Sequence, residues 1–317
     1  MKNLQHERLL SVALLTAVFL WLWIVLVPPV ATYRSNLHID RFWLHKVFGP
    51  ERYDLVVAGD SRIYRGISTD DLSAELYGLS AYNLGFSSGI LDKDLLELAQ
   101  HKLAPDGARL LLLGITPHAL TAKRNEHLAK IAARSLEDRI LVRYGHPLAL
   151  LFHRMSPTTL LKLIAGHSVW SNQTNYLEDY FIESGWVASS YRREYGNKAT
   201  LRTYRETRER FPVSPQRVAD LLAAVAELHR TGVRVFFLWL PSSPPMQKLE
   251  TAWPGFDYSA LREALRSAGA VPLDHAVPIG LHSYDGSHLH HSSARTLSRS
   301  LGRALAEAME MRPAAHP

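Results

Sequence analysis

The chain has 317 residues, 47% of them hydrophobic and 21% charged, which is the balance of a folded protein with length for a real core. It contains no cysteine, which excludes disulfides and thiolate chemistry and leaves both redox compartments open. The formal charge of +6 comes without a helix or loop that concentrates base-reading residues, so nucleic acid is excluded as the expected partner. An acidic substrate or an anionic surface is the alternative to plain solubility charge.

The first predicted element is an apolar helix that opens on Leu9 and closes on Val27, with only Ser11 and Thr16 polar and no charge. At about 1.5 Å per residue it nearly crosses a hydrocarbon core of about 30 Å. Pro28 and Pro29 end it, and Trp21 and Trp23 suit an interface. A cleaved signal peptide usually has a shorter apolar core, so the expectation is a signal-anchor transmembrane helix. A short N-terminal tail sets the default orientation, with residues 32–317 outside the cytoplasm. The expected domains are residues 1–31 as tail and anchor, 32–52 as a juxtamembrane stalk, and 53–317 as an α/β domain.

Residues 53–58 read as a buried strand ending at Gly59, and residues 69–78 as a helix with Ser68 or Thr69 near its start. Residues 81–86 give a second strand, 90–103 an amphipathic helix, and 108–113 a third strand. Residues 215–230 form a helix started by Pro215 and followed by Gly232. A strand at 233–240, a helix at 257–268, a short strand at 271–273 and a helix at 292–309 complete the domain. This alternation predicts a three-layer sandwich with a mostly parallel sheet, whose ligands sit beyond the strand carboxyl ends. Residues 118–212 interrupt it as a helical insertion over one sheet edge. Trp170, Trp186, Tyr191, Arg192 and Arg193 within it read either as part of a solvated cap or as a substrate rim, with aromatic faces for sugars and arginines for acidic groups.

The first strand runs into Gly59-Asp60-Ser61-Arg62, a place from which a serine hydroxyl is presented at the top of the sheet. Such a hydroxyl is a weak nucleophile until a base takes its proton. His288 is the candidate base, and Asp285, three residues earlier, is placed to orient its ring. His275, His282, His290 and His291 are its rivals. Asp60, adjacent to the serine, suits hydrogen bonding within the loop better than the role of triad acid. The spacing of His282, Asp285, His288, His290 and His291 does not match a zinc-protease helix, and no G-x-G-x-x-G follows the first strand. No metal and no cofactor is expected.

These blocks resemble the SGNH hydrolase superfamily, the GDSL-type esterases. Gly59-Asp60-Ser61 matches its first block, although Arg62 stands where the family often has leucine. Asn83-Leu84-Gly85-Phe86-Ser87-Ser88-Gly89 matches the second, and Asp285 to His288 the Asp-x-x-His of the last. The resemblance covers about residues 50–120 and 230–310. It implies an oxyanion hole from the backbone N–H groups of Ser61 and Gly85. The family's third block is Gly-x-Asn, with the asparagine amide as a further donor. This chain has Gly114-Ile115-Thr116-Pro117, so Thr116 stands at that position. The anchor, the Gly-Asp-Ser-Arg form and the absent asparagine look like the anchored SGNH proteins that accompany membrane-bound O-acyltransferases, such as those resembling the teichoic-acid D-alanylation and alginate acetylation proteins.

The resulting expectation is an extracytoplasmic serine enzyme on the bacterial cytoplasmic membrane. It transfers or removes a small acyl group, acetyl by resemblance, on a cell-surface polysaccharide, through an acyl-enzyme on Ser61. A multi-spanning O-acyltransferase is the implied partner, in contact through the apolar helix. The alternative is a non-catalytic SGNH-like scaffold subunit of such a system.

Overall fold

The computed structural model describes residues 11–19, 21, 37–136, 139–140, 176–191 and 198–310. The chain divides into two compact units, residues 1–41 with 135–173, and residues 42–134 with 174–317. The second unit holds a five-stranded sheet in the order β2-β1-β3-β6-β7. These are β1 Leu55–Gly59, β2 Ala81–Gly85, β3 Leu110–Ile115, β6 Arg234–Trp239 and β7 Val271–Pro272. All four pairings are parallel. β1, β2 and β3 are buried at every position and, Asn83 and the Tyr82 hydroxyl apart, apolar, the signature of parallel strands covered on both faces.

Period-two alternation divides those strands between two layers. Leu55, Val57, Leu110, Leu112, Phe236 and Leu238 share one core with α2 (Ser61–Gly66), α3 (Thr69–Ser73) and α10 (His291–Ala308). The intervening residues Val56, Ala58, Leu111, Leu113, Val235 and Phe237 are equally buried. On their side lie α4 (Lys93–Lys102), which contacts β1, and α7 (Pro215–Arg230), which contacts β6. α9 (Tyr258–Ser267) packs on α7, and Leu261 and Leu265 are its buried side chains. The remaining described helices are α1 (Leu37–Phe48), α5 (Glu126–Ala132), α6 (Lys198–Arg210) and α8 (Pro244–Thr251).

Helix starts follow capping chemistry. Asp60, Ser68, Asp92, Ser214 and Asp257 each accept a backbone N–H of the first turn through their side chains. The helix expected over residues 69–78 is shorter, ending at Ser73, with Tyr77 and Gly78 at positive φ in the turn that follows. Within the insertion, β4 (Tyr176–Phe181) and β5 (Trp186–Tyr191) form an antiparallel hairpin. Its tip meets edge strand β2, where Asn83 N–H donates to the Ser184 carbonyl at 2.9 Å.

The expected transmembrane anchor requires correction. Among the described residues no helix is long and apolar enough to cross a membrane. Of the segment from Leu9 to Val27, residues 11–19 and 21 are described, all helical. The single-pass topology, the periplasmic placement and the membrane contact through Leu9 to Val27 lose their basis with it. So does contact with an O-acyltransferase through that helix. Residues 32–52, expected as a stalk or docking helix, contain α1, whose Phe42, Trp43 and Lys46 are buried in the second unit.

Candidate active site

The site lies at the carboxyl ends of β1, β2 and β3, where the strand order reverses direction. Asp60 turns the chain from β1 into α2 within one residue, its Oδ1 accepting the Arg62 N–H at 2.9 Å. Ser61 is thereby the first residue of α2. The base arrives from the far end of the sequence, in the loop before α10. Asp285 Oδ1 accepts the N–H groups of Ser287 and His288 at 2.9 and 2.7 Å, which folds that loop into a tight turn with Gly286 at φ 88°. The Ser283 hydroxyl and the Tyr284 N–H both donate to the His288 carbonyl, at 2.8 and 3.1 Å, and close the loop on itself.

Three side chains then line up. Asp285 Oδ2 is 2.7 Å from His288 Nδ1, and His288 Nε2 is 2.8 Å from Ser61 Oγ. The carboxylate selects the tautomer with Nδ1 protonated, leaving the Nε2 lone pair for the serine proton. All three are buried. Burial acts to raise the Asp285 pKa, but the His288 ring and the hydrogen bonds to the carboxylate outweigh it and hold Asp285 at about 2. Burial also pushes His288 below its ordinary value. Asp285 opposes that shift and the Arg65 cation adds to it. The base is therefore neutral and the orienting acid ionised, as a serine-hydrolase site requires.

The second-block loop is locked from below. Asn83 donates to the carbonyls of Ile63 and Ile67 at 2.8 and 2.7 Å, and its Oδ1 accepts the Gly85 N–H at 2.9 Å. A Cβ at Gly85 would stand 2.3 Å from the Tyr64 nitrogen, so only glycine lets β2 approach α2 this closely. Lys46 of α1 donates to the carbonyls of Asn83 and Gly85, both at 2.8 Å, among the rings of Phe42, Trp43, Tyr64 and Phe86. Its complete burial pushes its pKa well below the ordinary lysine value.

Two of the expected oxyanion donors are thus occupied. The Gly85 N–H is on Asn83, and the Thr116 hydroxyl donates to Asp60 Oδ2 at 2.7 Å. Asp60, capping α2 with one oxygen and holding Thr116 with the other, has no contact with His288 that would make it the triad acid.

Two arginines of α2 join the site to distant elements. Arg62, the residue after Ser61, forms a buried fork with Glu250 of α8 at 2.5 and 3.1 Å, and its Nε donates to Ser287 Oγ at 3.0 Å. Ser287 in turn donates to the Tyr204 hydroxyl at 2.9 Å, and Trp239 Nε1 to Glu250 at 3.2 Å. Arg65 places Nε and Nη2 on Glu178 of β4 at 3.1 and 2.6 Å, and its Nη1 lies 3.3 Å from His288 Nε2.

The expected substrate rim divides. Trp170, Arg192 and Arg193 lie outside the described residues. Trp186 is only 1% exposed and donates to the Arg65 carbonyl at 3.0 Å, so it is core and not rim. Tyr191 is half-buried beside Tyr284, with ring centroids 5.0 Å apart, and the Tyr284 ring stacks 6.1 Å from that of His288. Sequence reasoning missed Lys46, Arg65, Glu178 and Glu250. For Arg65 a signal existed, since it stands four residues after Ser61 on one helical face. For the other three no local pattern marks a partner far along the chain.

This is a serine-hydrolase-type triad. No family model matches the chain, and no curated protein matches it. Among solved structures, a protein from Streptococcus pneumoniae, described provisionally as a platelet activating factor, is 12% identical, with 84% of this chain and 91% of that one covered at a TM-score of 0.38. At that score the likeness carries no argument about this chain's activity.

Proposed function

We propose that the chain is an SGNH-type serine esterase or acyltransferase. Ser61 attacks a small acyl ester, His288 takes and returns the proton, and Asp285 holds the ring and stabilises the imidazolium. The observation that carries this reading is the continuous contact from Asp285 through His288 to Ser61, at 2.7 and 2.8 Å, between positions 227 residues apart. The Ser61 N–H is the backbone oxyanion donor in this reading, since the Gly85 N–H is on Asn83. The order of the motif blocks supports the superfamily. The acyl group is acetyl and its carrier a polysaccharide, with water or a sugar hydroxyl as the acceptor. This finer part is supported by the resemblance and by the Tyr191 and Tyr284 rings beside the triad, which suit a sugar face.

The test is hydrolysis of p-nitrophenyl acetate and covalent labelling by a fluorophosphonate, in the native chain and in Ser61→Ala. Ser61→Ala is expected to lose labelling and roughly 10⁴-fold or more in kcat, while keeping the native circular dichroism. Equal turnover by the two proteins would end the proposal. The second reading, a non-catalytic scaffold, is favoured by one observation, the internal bonding of the Gly85 N–H and the Thr116 hydroxyl. It predicts a native chain that neither labels nor turns over the ester.

A further inference from the structure

The tetrahedral intermediate of ester cleavage carries a full negative charge, and a site without donors for it is slow. Two expected donors are spent inside the protein, yet a cation stands at the reacting group. Arg65 projects from α2 one turn after Ser61. Its Nε and Nη2 are fixed on Glu178 Oε1 at 3.1 and 2.6 Å, and Glu178 Oε2 accepts the Tyr180 hydroxyl at 2.6 Å. The Trp186 ring nitrogen holds the Arg65 carbonyl at 3.0 Å. With one edge of the planar fork clamped, Nη1 reaches the triad, 3.3 Å from His288 Nε2. The Arg65 and Glu178 side chains are 12% and 17% exposed, so the charge is screened far less than at a surface.

We propose that Arg65 is a catalytic residue whose Nη1 donates to the oxyanion of the tetrahedral intermediate, in the role for which an asparagine amide is absent. The proposal rests on the ester reading above. In the free protein the Ser61 hydroxyl and Arg65 Nη1 both approach the single lone pair of Nε2, and the serine contact is the shorter. On attack, Ser61 Oγ bonds the acyl carbon, its proton passes to Nε2, and the carbonyl π pair moves onto oxygen. Nε2–H and Nη1–H are then both donors and repel each other, while a new anion has formed beside them. The same proton transfer that creates the oxyanion therefore releases Nη1 toward it. On collapse the carbonyl re-forms, and the alcohol leaves with the proton from Nε2. Water or a sugar hydroxyl repeats the cycle on the acyl-enzyme, so no further co-reactant is needed.

The test compares p-nitrophenyl acetate hydrolysis by the native chain, Ser61→Ala, Arg65→Lys, Arg65→Met and the double variant Arg65→Met with Glu178→Met. The double variant leaves no unpaired buried charge and guards against loss of folding in Arg65→Met. Rates of the native chain and the Arg65 variants are expressed per site labelled at completion by a fluorophosphonate, and the native chain is compared with Ser61→Ala per mole of protein. The expected result is a fall in kcat on the order of 10²-fold in Arg65→Met and in the double variant, KM within about threefold, and partial recovery in Arg65→Lys. A merely structural role would lower the labelled fraction and leave kcat per labelled site unchanged, and that result overturns the proposal. A native chain no faster than Ser61→Ala overturns the ester reading, and the role of Arg65 with it. A fast native chain matched by the double variant overturns the role of Arg65 alone.

Discussion

Burial acts on Asp285 and His288 in opposite directions, raising the acid and lowering the base, and only for Asp285 do the neighbours reverse it. With Asp285 at about 2 and His288 below its ordinary 6.5, one proton governs the acid side of the pH profile. Neutral His288 is the active form, so kcat/KM should rise with pH through a single limb displaced below the ordinary histidine range. A midpoint above 6.5 in p-nitrophenyl acetate kinetics would contradict this. The Asp285 shift is also a stability term. Its contribution is fully present above the ordinary 3.8 and is lost as pH falls through about 2. Asp285→Asn should cost roughly 10⁴-fold in kcat, because the amide no longer selects the tautomer with a free Nε2. Tyr191 acts on a different quantity. If its ring offers a sugar platform, Tyr191→Ala should raise KM for an acetylated polysaccharide several-fold and leave kinetics on p-nitrophenyl acetate unchanged.

At the scale of elements, the loop carrying Asp285 and His288 is held against α2 by the fork between Arg62 and Glu250, which also reaches Ser287. The pair is 2% and 0% exposed. Arg62→Leu should leave a buried unpaired carboxylate and destabilise the fold by about 3–5 kcal/mol. Adding Glu250→Met should restore most of that loss, because the fork is then replaced by apolar packing and not broken. Urea melts of the three proteins measure this, and equal midpoints for both variants would refute it. The fork also explains why an arginine stands at this position. α8 brings a buried carboxylate that only a guanidinium with several donors can satisfy together with Ser287.

In the molecule as a whole, the triad exists only when both ends of the second unit are docked. Ser61 and His288 are joined across 227 positions, and the same two regions are tied again by Ser68 N–H on Ser298 Oγ at 2.8 Å and by Arg299 on Asp71 at 2.7 Å. Esterase activity in rising urea should therefore disappear in the same transition as near-ultraviolet circular dichroism. Activity lost well before tertiary structure would mean that the loop docks independently.

The nucleophile loop, the Asp-x-x-His turn and the mostly parallel character of the sheet are legible in the sequence, whereas the strand order is not. Each is a local signal: an apolar run of strand length, a capping residue, a three-residue spacing. The start of α7 at Pro215 and the burial of β1 to β3 follow from the same local rules. The apolar segment at residues 9–27 shows the limit of composition, since among the described residues no helix is long and apolar enough to cross a membrane. Trp186 shows another limit, because an aromatic residue in a polar insertion reads alike whether its ring faces sugar or core. Only tertiary structure decided that the Thr116 hydroxyl is spent on Asp60, that Lys46 lies beneath the glycine loop, and that Arg65 stands at the histidine. These are contacts between residues tens to hundreds of positions apart. Their energy comes from desolvation and mutual geometry, and neither is encoded in the neighbourhood of any one residue.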